Sequence, residues 1–428
     1  MIEPLYDHQK KIIAEDKKKF GLFLGTGGGK TRTALELAEG KILVICPKQQ
    51  FLDKTWEKNA EKFGIKKTIK VISKEWLKNH KEEWQYYDTI IIDECHKNLG
   101  VSHQTRQRNK VQIPKTSDIF EATLELITMY PPKRLYLCSA TPVTKPMQMW
   151  AIGILFGEKW SFFQFREKYY FPVKMGFRQE WLPRKDEGTQ QRLALLVQRY
   201  GYTGSLNDFA DVPEQTHLMP PEIEYIDLTD EQKHALKELS NEEADPLVRR
   251  ARQRTIENGV LYGKKVEQIS DREDRLVKDT KIFPSGKIDY IVEKAAEFPK
   301  LLIFANYTAQ IEEIAKALRA EGYKVSTLTG ATKDRKTVIE DAENDSAHIV
   351  VAQSSISSGY ELPSFPCVIY ASKSWQYVDY EQSLGRVLRI NKLKKNLYIH
   401  LVVKGGPDEG CHDAIMLGTD FQEKLSVL

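Results

Sequence analysis

Long apolar segments are missing from this sequence. No stretch of 18 apolar residues occurs in its 428 residues, so we expect no membrane-spanning helix. The amino-terminal residues MIEPLYDHQKK contain no apolar core of a secretory signal, so we expect no such leader. The apolar content of 41% is still ample for a hydrophobic core, and the length predicts two or three domains.

Cysteine is scarce, and the charge is nearly balanced. The five cysteines show no CxxC spacing, and three lie in or beside apolar runs, where cysteine behaves as a small hydrophobic residue. This pattern predicts a reducing compartment, the cytoplasm, and argues against a zinc site. A formal net charge of only +4 means that any nucleic-acid surface must be a local patch.

Eight short apolar runs alternate with helical patterns along the chain. The runs are GLFLG (21–25), KILVICP (41–47), TIIIDE (89–94), RLYLCSAT (134–141), LLIFANYT (301–308), HIVVAQSS (348–355), CVIYASK (367–373) and LYIHLVV (397–403). Unbroken apolar runs are typical of parallel strands buried on both faces, and helices between them predict βαβ units. We therefore expect an α/β fold with two parallel-sheet lobes. Several runs end in small or polar residues, where ligands of open α/β sheets bind.

The alternation of apolar runs and helical patterns is interrupted from about 150 to 280. Aromatic residues cluster at 160–171, and highly charged segments follow at 248–255 and 270–281. We interpret the stretch as a mainly helical inter-lobe region, whose aromatic residues belong to a core rather than to a base-stacking surface. The predicted domains are residues 1–150, 151–280 and 281–428.

The segment GTGGGKT (25–31) lies between an apolar run and a helix-forming run. Glycines let backbone N–H groups converge on phosphate oxygens, and a helix that begins there directs its positive end at the same anion. The predicted nucleotide-binding residues of this segment are Gly27, Gly28, Gly29, Lys30 and Thr31. Lys30 would reach the β- and γ-phosphates, and the Thr31 hydroxyl would ligate Mg²⁺. A flexible surface loop is the alternative.

Two adjacent carboxylates, Asp93 and Glu94, follow the apolar run TIII. Such a pair is costly at a strand end unless a cation lies beside it, and Mg²⁺ is a suitable cation. Asp93 would hold the metal, and Glu94 would orient or deprotonate an attacking water. A structural cap or an ion pair is the alternative for an acidic pair alone, but a phosphate loop 63 residues before Asp93 favours the metal site.

Two further segments carry polar groups. SATP (139–142) ends an apolar run and by itself favours a simple turn. Gln382, Arg386 and Arg389 are spaced four and three residues apart, so we expect them on one stripe of a helix. Arginines on an otherwise apolar helix need an anionic partner, which a triphosphate supplies. A solvated basic face is the alternative.

The segment after the acidic pair is basic. Its cationic residues are Lys97, Arg106, Arg108, Lys110 and Lys115, and no acidic residue occurs from 97 to 117. It is either a loop that follows nucleic-acid phosphates or a solvated, flexible loop, and the sequence favours neither.

The motifs, taken in order, resemble those of the superfamily 2 helicases and translocases of the DExH-box type. They are GTGGGKT (25–31), DECH (93–96), SATP (139–142), SSGYEL (357–362) and QSLGRVLR (382–389). Finer features resemble the Swi/Snf branch: LYDHQ (5–9), ILVICPKQ and the following Trp56, SATPVTKPMQMWAI (139–152), PSGK (284–287) and VIYASKSWQYVDYEQ (368–382). The compact chain is similar to translocases of phage type.

This resemblance implies two tandem RecA-like lobes that bind ATP and Mg²⁺ in a cleft between them. The nucleotide site would comprise Gln9 against adenine, the phosphate-loop residues, Thr31 and Asp93 at the metal, and Glu94, Gln382, Arg386 and Arg389 in catalysis. His96, Ser139 and Thr141 would couple the nucleotide state to lobe movement. The motif that contains Trp56 would lie near the nucleic-acid track.

The function that the resemblance implies is that of a nucleic-acid-stimulated ATPase that moves along DNA or unwinds it. DNA, single- or double-stranded, would be contacted through its backbone without sequence preference. An RNA-directed helicase is one alternative, and a nucleotide-gated clamp without productive turnover is another. Replication or recombination proteins are the implied protein partners, and we expect a monomer in the cytoplasm of a bacterial or phage-infected cell.

Overall fold

The computed structural model of the chain describes residues 4–108, 110–175, 178–213, 217–240, 245–270, 273–356, 360–388 and 395–418. The chain divides into two units, Met1–Pro213 and Glu214–Leu428. Each unit is built around its own parallel sheet. None of the described helices combines the length and the apolar character needed to cross a bilayer.

The first unit alternates strands and helices. Its helices are α1 Asp7–Glu15, α2 Lys30–Leu37, α3 Lys48–Leu52, α4 Thr55–Lys62, α5 Lys74–Asn79, α6 Asp118–Met129, α7 Pro146–Leu155, α8 Phe162–Tyr169 and α9 Glu187–Tyr200. Its strands are β1 Lys19–Leu24, β2 Ile42–Cys46, β3 Ile69–Ser73, β4 Thr89–Ile92, β5 Val101–Arg108, β6 Val111–Thr116, β7 Arg134–Cys138, β8 Tyr170–Met175, β9 Arg178–Pro183 and β10 Gly201–Gly204. The pairs β5–β6 and β8–β9 form separate antiparallel hairpins.

The sheet of the first unit has the strand order β10, β1, β7, β4, β2, β3, and each neighbouring pair is parallel. Side chains alternate between two apolar layers: Ile90 and Ile92 pack in one cluster, whereas Ile91 packs in the cluster on the opposite face. Burial of each such side chain contributes about 1.5–3 kcal/mol. Burial on both faces explains why the inner strands are continuous apolar runs.

The second unit repeats this architecture. Its strands are β11 Glu222–Tyr225, β12 Val260–Ser270, β13 Glu273–Ile282, β14 Leu301–Ala305, β15 Val325–Leu328, β16 Ile349–Gln353, β17 Cys367–Tyr370 and β18 Leu397–Val402. Its helices are α10 Asp230–Ser240, α11 Pro246–Glu257, α12 Gly286–Glu297, α13 Thr308–Ala320, α14 Arg335–Asn344, α15 Tyr377–Leu384 and α16 Pro407–Met416. The parallel sheet has the order β11, β18, β17, β14, β16, β15, and β12 pairs with β13 in a hairpin. The predicted α/β fold with two tandem parallel-sheet lobes is thus confirmed.

The stretch 151–280, which we interpreted as one helical region, is shared between the two units. It contains α8 to α11, but its strand β10 joins the first sheet and its strand β11 joins the second. The two units divide between Pro213 and Glu214, and the domain boundaries at 150 and 280 stay predictions. Phe162, Phe165 and Tyr169 are buried in the first unit, which confirms a core role for most of the aromatic cluster.

Candidate functional site

The candidate site of the first unit lies at the carboxyl edge of its sheet. The strands β1, β7 and β4 are neighbours, and because they are parallel their carboxyl ends meet at one edge. The glycine loop 25–29 follows β1, Ser139 follows β7, and Asp93 follows β4. Three motifs that are far apart in sequence are thereby brought side by side, as expected for ligand sites of open α/β sheets.

The glycine loop has a left-handed backbone at two positions, a conformation that favours glycine. Gly27 and Gly29 have φ angles of 81° and 76°, in the left-handed region. A Cβ on Gly28 would lie 2.9 Å from the Leu24 Cβ, and one on Gly29 would lie 2.2 Å from the Gln9 amide nitrogen. The helix α2 begins immediately afterwards, at Lys30. This arrangement of loop and helix start fits a phosphate group.

Lys30 and Thr31 occupy the first turn of α2. The Lys30 Nζ donates hydrogen bonds to the carbonyl oxygens of Leu24 and Gly25, at 2.8 and 3.0 Å. The ammonium group therefore lies against the loop itself, where it would meet an anion bound by the loop amides. Both side chains are only half-buried, so a ligand can reach them.

Gln9, predicted to contact adenine, is buried against the same loop. Its Nε2 donates to the Gly29 carbonyl and to the Thr33 hydroxyl, both at 3.3 Å, and its Oε1 accepts from the Tyr6 N–H at 3.0 Å. The amide thus supports the loop through its own hydrogen bonds. Contact with adenine stays a prediction.

Asp93 and Glu94 form an unusual acidic pair. Asp93 is buried, and burial, followed by the neighbouring Glu94 carboxylate, raises the pKa of Asp93 to about 6. The positive charge of Lys30 offsets only part of this effect. Glu94 has a φ of 45°, a left-handed conformation that is rare for a side chain of this kind and is found often at functional sites.

A divalent cation fits this position. Burial and the adjacent Glu94 carboxylate disfavour the ionised form of Asp93, which a bound cation would stabilise, and carboxylate and hydroxyl oxygens are ligands that Mg²⁺ prefers. Within the described residues, no group of three or more His, Cys, Asp or Glu side chains is arranged to hold a metal. A metal held by Thr31 and Asp93 would therefore take further ligands from a phosphate group or water.

The predicted coupling residues are in contact with one another. The His96 Nδ1 lies 2.9 Å from the Ser139 hydroxyl and 3.4 Å from a Glu94 carboxylate oxygen. The Ser139 hydroxyl also accepts a hydrogen bond from the Thr141 N–H at 3.1 Å. Burial lowers the pKa of His96 to about 4, so the imidazole is neutral at pH 7. Polar contacts through His96 and Ser139 therefore connect Glu94 to the loop after β7.

Gln148 and Trp56 have contacts at this site that the sequence motifs did not indicate. Gln148 of α7 donates to the His96 carbonyl and accepts from the Thr144 and Lys145 N–H groups. Trp56, which we had named only within a motif expected near the nucleic-acid track, is fully buried and donates to Asp93. The position of that motif relative to nucleic acid stays a prediction. The available signal was Pro146, which marks the start of the helix that carries Gln148.

A segment after β10 also packs on the glycine loop. The Gly25 N–H donates to the Gly204 carbonyl at 2.7 Å, and Leu206 contacts Gly27. The Phe209 ring stacks on His8, with centroids 3.8 Å apart, and the His8 Nε2 lies 3.1 Å from the Gly28 carbonyl oxygen. Nothing in the local sequence indicated this packing, because it depends on β10 joining the sheet.

The predicted arginine stripe of the second unit is only partly helical. The helix α15 ends at Leu384, so Gln382 lies on it but Arg386 lies in the following turn. The expectation of one helix through Arg386 is therefore wrong, and Gly385, a common helix terminator, was the signal for this end. The Arg386 guanidinium donates to the carbonyl oxygens of Gln382 and Tyr360, at 3.0 and 2.8 Å. Arg389 lies outside the described residues, as do residues 357–359.

Comparisons with known proteins concern both units. Residues 286–391 match the family model of the helicase conserved C-terminal domain. The chain is 30% identical over 132 residues to the pre-mRNA-splicing ATP-dependent RNA helicase prp28 of Schizosaccharomyces pombe, a match that covers 30% of this chain. The match covers 20% of that protein, so the chain spans about one fifth of the length of this curated relative.

A solved structure shares the fold over most of the chain. The Hef helicase domain of Pyrococcus furiosus has a TM-score of 0.52 at 14% identity, with 95% of this chain and 97% of that chain covered. The SWI2/SNF2 ATPase core of Sulfolobus solfataricus, solved in complex with double-stranded DNA, has a TM-score of 0.41 at 18% identity, with 97% and 91% covered. The two sheets are thus those of tandem RecA-like lobes. Residues 286–391 thus match a helicase conserved C-terminal domain, and the Hef helicase domain is similar to the chain in its fold.

Proposed function

We propose that this chain is an ATP-dependent DNA translocase or helicase, which couples the hydrolysis of Mg-ATP to movement along DNA or to strand separation. One observation carries the proposal: a glycine loop, Lys30 and the pair Asp93 and Glu94 meet at the carboxyl edge of the first sheet. The helicase C-terminal match in the same chain supports the nucleic-acid part of the proposal.

The first unit would bind the nucleotide. The loop amides and Lys30 would hold the phosphates, and Thr31 and Asp93 would hold Mg²⁺, which when bound neutralises phosphate charge. Glu94 would orient the attacking water and accept its proton. The left-handed backbone of Glu94 supports this role, because such conformations persist mainly where the surrounding structure holds them for function.

Gln382, Arg386 and Arg389 would serve the γ-phosphate of the same nucleotide. All three lie within the residues that match the helicase C-terminal domain. Arginine provides fixed, planar donors suited to the charge that develops on a transferred phosphoryl group. A guanidinium carries five N–H donors, so this role would add phosphate oxygens to the present carbonyl partners of Arg386 or exchange them for phosphate.

DNA is our preferred substrate because the Swi/Snf-like motifs favour it. RNA is the second candidate, because the Schizosaccharomyces pombe relative is named an RNA helicase. A clamp without turnover is disfavoured by the presence of Glu94 and Arg386, which such a clamp would not need. A cytoplasmic monomer acting with replication or recombination proteins stays a prediction from the resemblance.

The basic hairpin β5–β6 is a suitable surface for the nucleic-acid backbone. It follows the acidic pair at the carboxyl edge of the sheet, and its register places Arg106 and Arg108 on one face with Val111 and Ile113. Its cations Arg106, Arg108, Lys110 and Lys115 are all exposed. Arg106 contacts Glu121 of α6, so the other three cations are better placed to meet phosphates.

The substrate is tested by the rate of ATP hydrolysis with single-stranded DNA, duplex DNA or RNA of matched length. Our proposal predicts that DNA stimulates hydrolysis more than RNA does. Stimulation by RNA alone would replace the DNA proposal with the RNA alternative, and no stimulation by any of them would favour the clamp. Displacement of a labelled strand from tailed and forked duplexes then separates unwinding from translocation.

The hairpin is tested with Arg108→Ala/Lys110→Ala/Lys115→Ala. DNA affinity should fall, and the slope of log affinity against log salt should decrease by about 0.9 for each DNA phosphate that the variant no longer neutralises. The control Lys17→Ala/Lys18→Ala/Lys133→Ala removes the same charge next to the amino ends of β1 and β7. Equal effects of the two triple variants would contradict a specific role for the hairpin.

A further inference from the structure

The indole of Trp56 is held against the buried carboxylate of Asp93. Trp56 lies on α4 and is 0% exposed, and its Nε1–H donates to the Asp93 Oδ2 at 3.1 Å. The two residues are 37 positions apart in the chain, so the tertiary fold and not a local turn creates this bond. Trp56 packs in the apolar cluster that contains Leu24 and Ile91, which fixes the indole ring in place.

The other Asp93 oxygen is also engaged. The Glu94 N–H donates to the Asp93 Oδ1 at 2.9 Å. Each carboxylate oxygen thus accepts one hydrogen bond from the protein and keeps a further lone pair. A carboxylate held at both oxygens cannot rotate freely, which is the arrangement that orients a metal ligand.

We propose that Trp56 is a positioning residue for the divalent metal, which it serves by fixing the orientation of Asp93. This inference rests on the proposed function, in which Asp93 holds the metal of Mg-ATP. In this role the indole would act through Asp93 and would not itself be a ligand of the metal. Its contribution is to preorganise the ligand, and loss of such an outer hydrogen bond typically weakens metal binding about 10- to 100-fold.

The test variant is Trp56→Phe, which keeps an aromatic ring and removes the N–H donor. The chain offers a matched control, Trp84→Phe: Trp84 is also buried in the first unit, but its Nε1–H donates to the Leu77 carbonyl at 3.2 Å. Each variant removes one buried indole N–H donor, so one buried oxygen atom loses a hydrogen bond. Only the first deletion affects a proposed metal ligand.

Three measurements on the full chain separate the roles. Mn²⁺ binding in the presence of ADP, followed by electron paramagnetic resonance, should weaken about tenfold or more in Trp56→Phe and stay unchanged in Trp84→Phe. Binding of a fluorescent ATP analogue in EDTA should be the same in both variants. The Mg²⁺ concentration for half-maximal ATP hydrolysis should rise in Trp56→Phe, with turnover recovering at high Mg²⁺.

Replacement of Trp56 by β-(3-benzothienyl)alanine, which keeps the bicyclic ring but lacks the N–H, provides the same test if the Phe variant does not fold. Unchanged Mn²⁺ affinity in the Trp56 variant, or equal weakening in both tryptophan variants, would overturn the inference while leaving the proposed function intact. A wild-type chain that binds no Mn²⁺ with nucleotide would overturn both.

Discussion

The His96 imidazole and the Ser139 hydroxyl are in hydrogen-bond contact, with 2.9 Å between Nδ1 and Oγ. This contact joins the segment after β4 to the segment after β7, and Glu94 lies 3.4 Å from the same imidazole nitrogen. A change at the proposed catalytic carboxylate therefore has a direct polar route to the loop that begins at Ser139.

Ser139→Ala should uncouple ATP hydrolysis from nucleic acid. The variant removes the oxygen that meets His96 and accepts from Thr141, but it leaves Lys30, Asp93 and Glu94 in place. Basal hydrolysis should persist, and stimulation by DNA should fall about tenfold, within the usual range of coupling free energies. The control is Ser240→Ala, whose hydroxyl donates to the Lys237 carbonyl at the end of α10. Full stimulation of ATP hydrolysis by DNA in Ser139→Ala would show that this contact does not couple hydrolysis to nucleic acid.

His96→Gln should change how stability depends on pH. Burial lowers the pKa of His96 from 6.5 to about 4 in the folded chain. As pH falls from 6.5 towards 4, the unfolded chain binds a proton at His96 that the folded chain does not, so the free energy of unfolding decreases. The charged groups that act on the imidazole are Glu94, Lys97, Lys74 and Lys30.

The decrease in the free energy of unfolding caused by His96 is absent above pH 6.5 and should reach on the order of 3 kcal/mol near pH 4. The measurement is urea unfolding followed by tryptophan fluorescence, which reports mainly on the first unit because six of the seven tryptophans lie there. Relative to His96→Gln, the wild-type chain should become progressively less stable across this window. A constant difference between the two proteins from pH 7 to pH 4 would show that His96 is not held neutral.

Glu94→Gln should bind ATP normally and hydrolyse it very slowly. The amide keeps the size of the side chain but cannot accept the proton of the attacking water, so turnover should fall about 10³-fold. Nucleotide binding and turnover are measured on the same preparations, with the exposed Glu61→Gln of α4 as the control. Turnover of Glu94→Gln close to that of the control would remove Glu94 from the proposed mechanism.

The apolar runs of the sequence predicted the inner strands of both sheets but none of the edges. The sheet edges are β10 and β3 in the first unit and β11 and β15 in the second. All residues of β11 are exposed, and the others are only partly buried, so these segments are not continuous apolar runs. The hydrophobic pattern alone cannot distinguish such strands from loops, because an edge strand is stabilised by pairing with the neighbouring strand.

The site was predictable where a motif is local and unpredictable where it depends on tertiary packing. The glycine loop and the acidic pair were identified because strand, turn and helix start follow one another in sequence. The bond from Trp56 to Asp93 and the stacking of Phe209 on His8 could not be inferred, because each joins elements that meet only in the folded sheet. The motif PSGK was noted, but the partners of its lysine were not.

Lys287 of that motif forms a buried ion pair with Asp408. Its Nζ lies 2.7 Å from the Asp408 Oδ2 and also donates to Asn258 and to the Ala371 carbonyl. Lys287→Met should destabilise the second unit by about 3–5 kcal/mol, because it leaves the Asp408 charge buried with less compensation. Hydrogen exchange across α12 and α16 measures this loss in the full chain.

The control for Lys287 lies on the same helix. Lys294 pairs with Glu297 at the surface, at 2.9 Å, and Lys294→Met should cost no more than about 1 kcal/mol. If both variants accelerate exchange equally, the buried pair contributes no more to stability than a surface pair does.

The central claim is that the first unit binds and hydrolyses ATP and that nucleic acid stimulates this reaction. The most direct measurement is the rate of Mg-ATP hydrolysis with and without duplex DNA, for the wild-type chain and for Lys30→Ala. We predict a wild-type rate that rises when DNA is added and a Lys30→Ala rate that stays at background in both conditions. Wild-type hydrolysis in Lys30→Ala, or a wild-type rate that neither DNA nor RNA changes, would contradict this account.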